Sequence, residues 1–248
     1  MNGASRNRAV VVVGAGITGL TVAHTLAAAG VPVTLVEAAE RIGGLIRTTP
    51  FAGRPVDWGA DAFLARVPEG VGLCRELGLA DRLTSPVARR AFVYAGGRLA
   101  ALPDGLVLGV PTDLDALAAS GLVSPEGVAR AAEDLRRPAP PLQGDVAVGT
   151  LVRERLGDEV FEVLVAPLLS GVNAGDADEL SLEAGAAQLA LAAREGGSLI
   201  ESLRSQTAGA DPDAPVFYGL PSGTQTLTDA LAASAEAAGA RLVLATAV

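Results

Sequence analysis

The chain is poor in several reactive and aromatic residue types. It contains no lysine, so its 19 basic residues are all arginine, and it has one cysteine, one histidine and one tryptophan among 248 residues. The single cysteine, Cys74, excludes an intrachain disulfide and a cysteine-based zinc cluster, and it favours a reducing, cytoplasmic location. The formal net charge of −9 argues against nucleic acid or an anionic membrane surface as the main partner.

Residues 9–36 contain no Asp, Glu, Lys or Arg, and hydropathy alone would flag them as membrane-spanning. Four glycines and a proline interrupt this stretch, which divides it into strand, loop, helix and strand. We therefore expect no transmembrane helix.

An apolar strand, Val10–Val13, leads into the sequence GAGITG and a predicted helix from Ile17. In a dinucleotide-binding motif, Gly14 permits the tight turn, Gly16 lets the backbone approach a pyrophosphate, and Gly19 allows close packing of the helix. The helix N-terminus then provides an anion site. Taken alone, the motif is also compatible with a tight strand-to-helix turn that has only a packing role and binds no nucleotide.

A second predicted strand, residues 33–36, delivers Glu37 eighteen residues after Gly19, where the fold places the acid that binds a ribose hydroxyl. An acid at this position disfavours a 2′-phosphate and therefore NADP. The following sequence RIGGLIRT, residues 41–48, resembles the second signature of flavoproteins of the amine oxidase and protoporphyrinogen oxidase group. This resemblance favours FAD over NAD.

Beyond the nucleotide motif, Phe92, Val93 and Tyr94 before a Gly-Gly turn predict a β-hairpin over residues 91–99. Asp145 and Asp158 are expected to cap two helices that cover a pocket, and residues 241–246 are expected to form a final strand. The lone histidine, Cys74 and Trp58 are interpreted as packing residues rather than as chemical groups.

The order of several segments is similar to that of the protoporphyrinogen and coproporphyrinogen oxidase family. After the nucleotide motif come GADAFLARVPEG, the hairpin with LAALPDG and GVPTD, and APLLSGVNAGDADELS, residues 166–181. The last segment is the most discriminating, since generic amine oxidases and carotenoid desaturases do not share it. The resemblance covers nearly the whole chain, which corresponds to the N-terminal half of such oxidases.

The resemblance implies an α/β fold in which a Rossmann-like FAD-binding domain, incomplete relative to the family, carries an inserted, mainly helical substrate-side domain. The expected bounds are 1–85 and 204–248 for the FAD-binding domain and 86–203 for the insert.

The activity implied by the resemblance is FAD-dependent oxidation of a porphyrinogen in heme biosynthesis. Hydride equivalents would pass from the macrocycle to flavin N5, and molecular oxygen would reoxidise the flavin. Coproporphyrinogen III is favoured over protoporphyrinogen IX. An amine oxidase, a carotenoid desaturase and a non-catalytic FAD-binding fragment remain alternatives, and the oligomeric state stays open.

The family positions also imply site residues, with no catalytic residue and no metal ligand assigned. The expected FAD contacts are Gly14, Ala15, Gly16, Ile17, Thr18, Gly19, Glu37, Ala38, Arg41, Gly43, Gly44, Arg47, Gly59, Ala60, Asp61 and Val248. The expected substrate contacts are Arg90, Asn173, Ala174 and Gly175. For Arg90 and the neighbouring Arg89, a role as solvated surface charges is the favoured alternative to pairing with propionates.

Overall fold

The structure is a computed structural model that describes residues 9–88, 90–209, 211 and 214–248. Its strands are β1 (Val10–Val13), β2 (Val33–Val36), β3 (Thr48–Phe51), β4 (Arg54–Asp57), β5 (Phe63–Leu64), β6 (Phe92–Ala95), β7 (Arg98–Ala101), β8 (Leu106–Val107), β9 (Val110–Pro111), β10 (Phe217–Tyr218) and β11 (Arg241–Val243). Its helices are α1 (Ile17–Ala28), α2 (Pro68–Glu76), α3 (Leu114–Ser120), α4 (Pro125–Ala132), α5 (Val148–Leu156), α6 (Asp158–Val160), α7 (Ala166–Asn173), α8 (Leu182–Gly185), α9 (Ala187–Glu195), α10 (Leu199–Thr207) and α11 (Gln225–Ala237).

The chain divides into two compact units. The first comprises Met1–Val87 and Asp213–Val248, and the second comprises Ala88–Pro212. The second unit continues past residue 203, the bound expected from the sequence, and its helix α10 ends at Thr207.

The first unit contains a parallel sheet with the strand order β1-β2-β11. Helix α1 connects β1 to β2 and gives this parallel pair a helical crossover, and α11 leads into β11. The two helices pack against each other, and small residues such as Ala23 and Ala235 share one buried cluster with Leu20, Leu35 and Leu231. This arrangement places the loop after β1 at the N-terminus of α1.

The second unit is mainly helical and has the larger buried cluster, which contains residues of the strands β7, β8 and β9 and of the helices from α3 to α10. Helix α6, a π-helical turn (Phe161–Val165) and α7 follow one another without a break. The β6–β7 hairpin forms at the Gly96-Gly97 turn as predicted, with both glycines at positive φ. This unit therefore combines a helical core with one well-formed hairpin.

Two predicted helix caps are wrong. Asp145 does not cap α5, which begins after Ala147; its carboxylate accepts bonds from the Ser181 hydroxyl at 2.6 Å and the Glu183 amide at 3.0 Å. Asp158 makes no capping bond and instead contacts Arg153. Both carboxylates instead bind groups outside the helix that each was predicted to cap.

The final strand is shorter than predicted, since β11 ends at Val243 and Ala245 has a left-handed φ of 53°. Among the helices of the described ranges, none combines the length and the apolar character needed to cross a bilayer.

Candidate nucleotide and substrate sites

The loop after β1 has the geometry that the three glycines predict. Gly14 has φ 96°, which disfavours any residue with a side chain. A Cβ at Gly19 would lie 1.9 Å from the Gly14 carbonyl oxygen, so only glycine lets α1 start this close to the turn. Gly16, by contrast, faces open space, because a Cβ there would meet no protein atom closer than the Gly44 Cα at 4.0 Å.

The two glycine motifs contact each other. Gly43 donates its amide to the Ala15 carbonyl at 2.7 Å, and a Cβ on Gly44 would lie 3.2 Å from the Gly16 Cα. Among the described residues, no side chain caps the N-terminus of α1, and its first turn contains no acidic residue. The backbone therefore forms a narrow cradle beside uncapped helix amides, which suits a bound phosphate.

Glu37 lies at the end of β2 and joins this strand to the loop. One carboxylate oxygen accepts the Ala15 amide at 2.7 Å and the other accepts the Ala39 amide at 2.8 Å. The Ala39 amide first, and then the Ala15 amide, lower the pKa of the Glu37 carboxyl. An ionised carboxylate has further lone pairs for ribose hydroxyls and repels an additional phosphate.

The two arginines of the second motif, both predicted FAD contacts, bind neighbouring protein groups in the structure. The Arg41 guanidinium donates to the carbonyl oxygens of Gly44 at 2.6 Å and Ile42 at 3.0 Å, so it holds the loop that carries the glycines. The Arg47 guanidinium lies 5.2 Å from the centroid of the Trp58 ring. Trp58 is 71% exposed, which contradicts its interpretation as a packing residue.

Backbone from Gly59 to Asp61 is tied to α11 through residues that the sequence motifs did not indicate. Asp57 accepts the Thr224 amide at 3.1 Å, and the Thr224 hydroxyl lies 2.6 Å from the Ala60 carbonyl oxygen. The Thr48 hydroxyl donates to Asp57 at 2.5 Å and accepts the Gln225 amide at 3.1 Å. Asp57 and Thr224 are 167 residues apart, so no local pattern could have revealed this network.

The end of the chain runs beside Glu37 and Ala38. Ala245 donates its amide to the Ala39 carbonyl at 2.9 Å, and Thr246 donates to the Glu37 carbonyl at 2.9 Å. Val248 follows two residues later and is exposed. The segments that carry the predicted ribose and adenine contacts are therefore close together in space, although they are far apart in the sequence.

An apolar cavity of about 530 Å³ adjoins the cradle in the first unit. Ile17 of α1 and Ile46 of the second motif line it, together with Phe63, Leu73 and Leu227. The backbone cradle and an apolar cavity thus lie side by side within one unit.

The predicted substrate turn follows α7 in the second unit. Asn173 donates its side-chain amide to the Leu169 carbonyl at 3.0 Å, and Ala174 has a left-handed φ of 51°. Asn173, Ala174 and Gly175 are all exposed. A non-glycine residue with positive φ in an exposed turn is uncommon and is a reason to consider function.

Beside this turn, the β6–β7 hairpin and α7 enclose an apolar groove of about 260 Å³. The sequence reasoning missed this groove, because it requires the hairpin and the helix to come together; its lining includes Ala91, Val93, Leu168, Gly171 and Val172. Arg90 is exposed immediately before β6, next to one end of the lining segment. Arg89 lies outside the described residues.

Comparisons with known proteins agree on one family. Residues 17–248 match the family model described as "Flavin containing amine oxidoreductase". The coproporphyrinogen III oxidase of Mycobacterium tuberculosis is 40% identical over 228 residues, which cover 90% of this chain and 50% of that protein. That of Bacillus subtilis is 37% identical over 232 residues, covering 89% of this chain and 49% of the relative.

A solved structure shares the fold. A protein from Exiguobacterium sp. 255-15, assigned as a protoporphyrinogen oxidase, superposes with a TM-score of 0.80 and 33% identity, covering 98% of this chain and 53% of its own. The chain thus spans about half the length of the relatives that it matches.

Proposed function

Because the chain belongs to the family of flavin-containing amine oxidoreductases, we propose that it binds FAD and serves the oxygen-dependent oxidation of a porphyrinogen to a porphyrin. Coproporphyrinogen III is the favoured substrate, since the two bacterial relatives described above are named coproporphyrinogen III oxidases. The observation that carries the proposal is the direct contact between the Gly14–Gly19 loop and the Gly43-Gly44 motif, beside Glu37.

The residues present fit FAD. The open space above Gly16 is a cradle that a Cβ would fill, and it lies at the uncapped N-terminus of α1. Glu37 and Ala38 would lie at the adenosine ribose, where the Glu37 carboxylate would accept hydroxyl groups, and Val248 would lie near the adenine. Gly59, Ala60 and Asp61 would present backbone to the flavin half.

Arg41 supports this site indirectly. Its guanidinium donates to carbonyl oxygens of the second motif and so fixes the position of Gly43 and Gly44. We assign Ile17, Thr18 and Gly19 to pyrophosphate binding through their amides, and Ala15 to the bond that anchors Glu37. Arg47, which belongs to the second motif, would support the position of that motif through its contact with the Trp58 ring.

FAD, when bound, supplies the acceptor for hydride equivalents that leave the macrocycle. The chain's own residues therefore need to bind and orient the substrate, and no nucleophile is required of them. The Asn173–Gly175 turn and the apolar groove would contact the macrocycle, whose pyrrole rings are largely apolar. Arg90 would pair with a propionate through its planar guanidinium.

The alternative among related chemistries is an amine oxidase or a carotenoid desaturase. The relatives quoted above, at 37–40% identity, are named for porphyrinogen oxidation, and this favours the first proposal. A cytoplasmic location remains a prediction from the single cysteine.

The proposal is tested by supplying the FAD-loaded chain with coproporphyrinogen III, and in parallel with protoporphyrinogen IX, in air. We expect porphyrin fluorescence to appear faster than in protein-free controls, with coproporphyrinogen preferred. The matched control is Gly16→Ala, which should retain the fold but lose the cofactor. Absence of porphyrin from the FAD-loaded chain, or flavin reduction by an amine instead, would contradict the proposal.

A further inference from the structure

One guanidinium of the second unit contacts three carboxylates from two segments of the chain. Arg153 of α5 donates through Nη1 to Asp158 at 2.8 Å and to Glu162 at 3.1 Å. Through Nε and Nη2 it donates to the two oxygens of Asp178, each at 3.2 Å. The same guanidinium lies 4.2 Å from the centroid of the buried Phe161 ring.

These partners lie on both sides of the Asn173–Gly175 turn. Asp158, Phe161 and Glu162 belong to the continuous helical stretch that ends at Asn173, whereas Asp178 follows the turn by three residues. A single side chain thus connects the segment that enters the turn with the segment that leaves it.

The leaving segment lies directly on α5. Gly149 donates its amide to the Ala177 carbonyl at 3.0 Å, and Val148 donates to the Leu180 carbonyl at 2.9 Å. A Cβ at Gly149 would lie 2.1 Å from the Asp178 carboxylate, so glycine is needed for this approach. Asp178 is thereby held within reach of Arg153 by backbone contacts as well as by charge.

The cluster of Arg153 with Asp158, Glu162 and Asp178 depends on the charge of the guanidinium. An isolated exposed ion pair contributes little, but here three carboxylates converge on one cation. Removal of the guanidinium would leave them as neighbouring like charges, which repel each other. Lysine would keep the charge but lose the planar fork that contacts both oxygens of Asp178.

We propose that Arg153 is a positioning residue for the Asn173–Gly175 turn, and that its bonds to Asp178, Asp158 and Glu162 fix the turn in its binding geometry. The proposal rests on the proposed function, since the turn is assigned there to substrate binding. Arg153 itself touches neither substrate nor cofactor in this account.

The test compares the wild-type chain with Arg153→Gln, Arg153→Lys and Asp178→Asn by hydrogen–deuterium exchange. We expect the amides of Val148 and Gly149, which donate to the leaving segment, to exchange severalfold faster in Arg153→Gln and less so in Arg153→Lys. High salt should accelerate the same amides in the wild type but not in Arg153→Gln. Unchanged exchange in Arg153→Gln would overturn the proposal.

A second readout separates positioning from simple stability. Binding of coproporphyrin III, followed by its absorbance, should weaken in Arg153→Gln and Asp178→Asn while FAD affinity stays unchanged. The matched control is Arg155→Lys, which weakens a buried ion pair of the same unit without touching the turn. Equal porphyrin affinity in wild type and Arg153→Gln would contradict the positioning role.

The failure of the proposed function has a different signature. If the wild-type chain binds FAD but no porphyrin, and the exchange changes still occur, the substrate assignment of the turn is wrong although Arg153 tethers it. If Arg153→Gln does not fold, Asp178→Asn provides the same comparison with the guanidinium still present.

Discussion

The candidate nucleotide site of the first unit is made of backbone, whereas the second unit positions its candidate site with side chains. Around Gly14, Gly16 and Gly19 the decisive features are positive φ and the absence of a Cβ. In the second unit they are ionic groups such as Arg153 and Asp134, whose partners lie far along the chain. Backbone sites are thus sensitive to added atoms, and side-chain sites to removed charges.

The largest expected effect comes from removing a buried charge in the second unit. Asp134 is 2% exposed, pairs with Arg155, and accepts the Ser198 hydroxyl at 2.6 Å and the Ile200 amide at 3.0 Å. Asp134→Ala leaves the Arg155 guanidinium buried and unpaired, which should cost about 3–5 kcal/mol of unfolding free energy. Urea unfolding measures this loss.

The control for Asp134→Ala is an exposed ion pair of the same region. The Arg137 side chain is 79% exposed and lies 3.3 Å from Glu133. Arg137→Ala should change the unfolding free energy by less than about 1 kcal/mol. Similar losses in both variants would contradict the claim that buried charge holds this unit together.

A single added methyl group should disrupt the first unit. Gly19→Ala would place a Cβ 1.9 Å from the Gly14 carbonyl oxygen, and backbone must shift to accommodate it. We expect the free energy of unfolding to fall by about 3 kcal/mol. We also expect FAD binding to be lost. Gly72→Ala in α2 has no atom within 4 Å of the new Cβ and should be neutral or stabilising by about 0.5–1 kcal/mol. Denaturant unfolding of the two variants side by side distinguishes crowding from a general intolerance of alanine.

The hydroxyl of Thr224 should have an intermediate effect. Thr224→Val keeps the shape but removes the hydroxyl that bonds the Ala60 carbonyl and contacts Asp57, at a cost of about 1–2 kcal/mol. Thr226→Val is the control, because no hydrogen bond of its hydroxyl occurs among the described residues. Thermal unfolding that fails to separate these variants would show that the network does not hold the Gly59–Asp61 backbone.

The smallest effect concerns pH. Since the folded state lowers the pKa of Glu37, its ionised form stabilises the fold above the ordinary carboxyl range, and this contribution disappears as pH falls through the folded-state pKa. Glu37→Gln removes that contribution. The stability difference between wild type and variant should therefore be present at pH 7 and shrink below about pH 4. A difference that stays constant from pH 7 to 3 would contradict the role of the carboxylate charge.

The sequence predicted the first unit better than the second for a physical reason. Gly14, Gly19 and Glu37 are constrained by neighbours within one strand–turn–helix–strand unit, so their spacing carries the geometry. Asp145 was assigned to the wrong helix because its partners, Ser181 and Glu183, are 36 and 38 residues away. Capping rules consider only residues close in sequence, so they cannot predict bonding partners this far along the chain.

The groove beside α7 was missed for the same reason. Val93 and Leu168 line it together only after the hairpin and the helix pack, and neither has a local pattern that distinguishes it from core. The exposure of Trp58 also could not be read from the sequence, since a tryptophan next to a glycine turn is compatible with either outcome. The predicted FAD and substrate contacts remain predictions for binding experiments.

The decisive experiment is a calorimetric titration of FAD into the wild-type chain and into Gly16→Ala. The protein atom nearest to the variant's Cβ is the Gly44 Cα at 4.0 Å, so the variant should keep the fold, as circular dichroism would show, while it blocks the approach of a pyrophosphate. We expect saturable binding by the wild type and at least about tenfold weaker binding by the variant, a difference of about 1.4 kcal/mol. Equal affinities, or no binding by a folded wild-type chain, would contradict the claim that the two glycine motifs form the cofactor site.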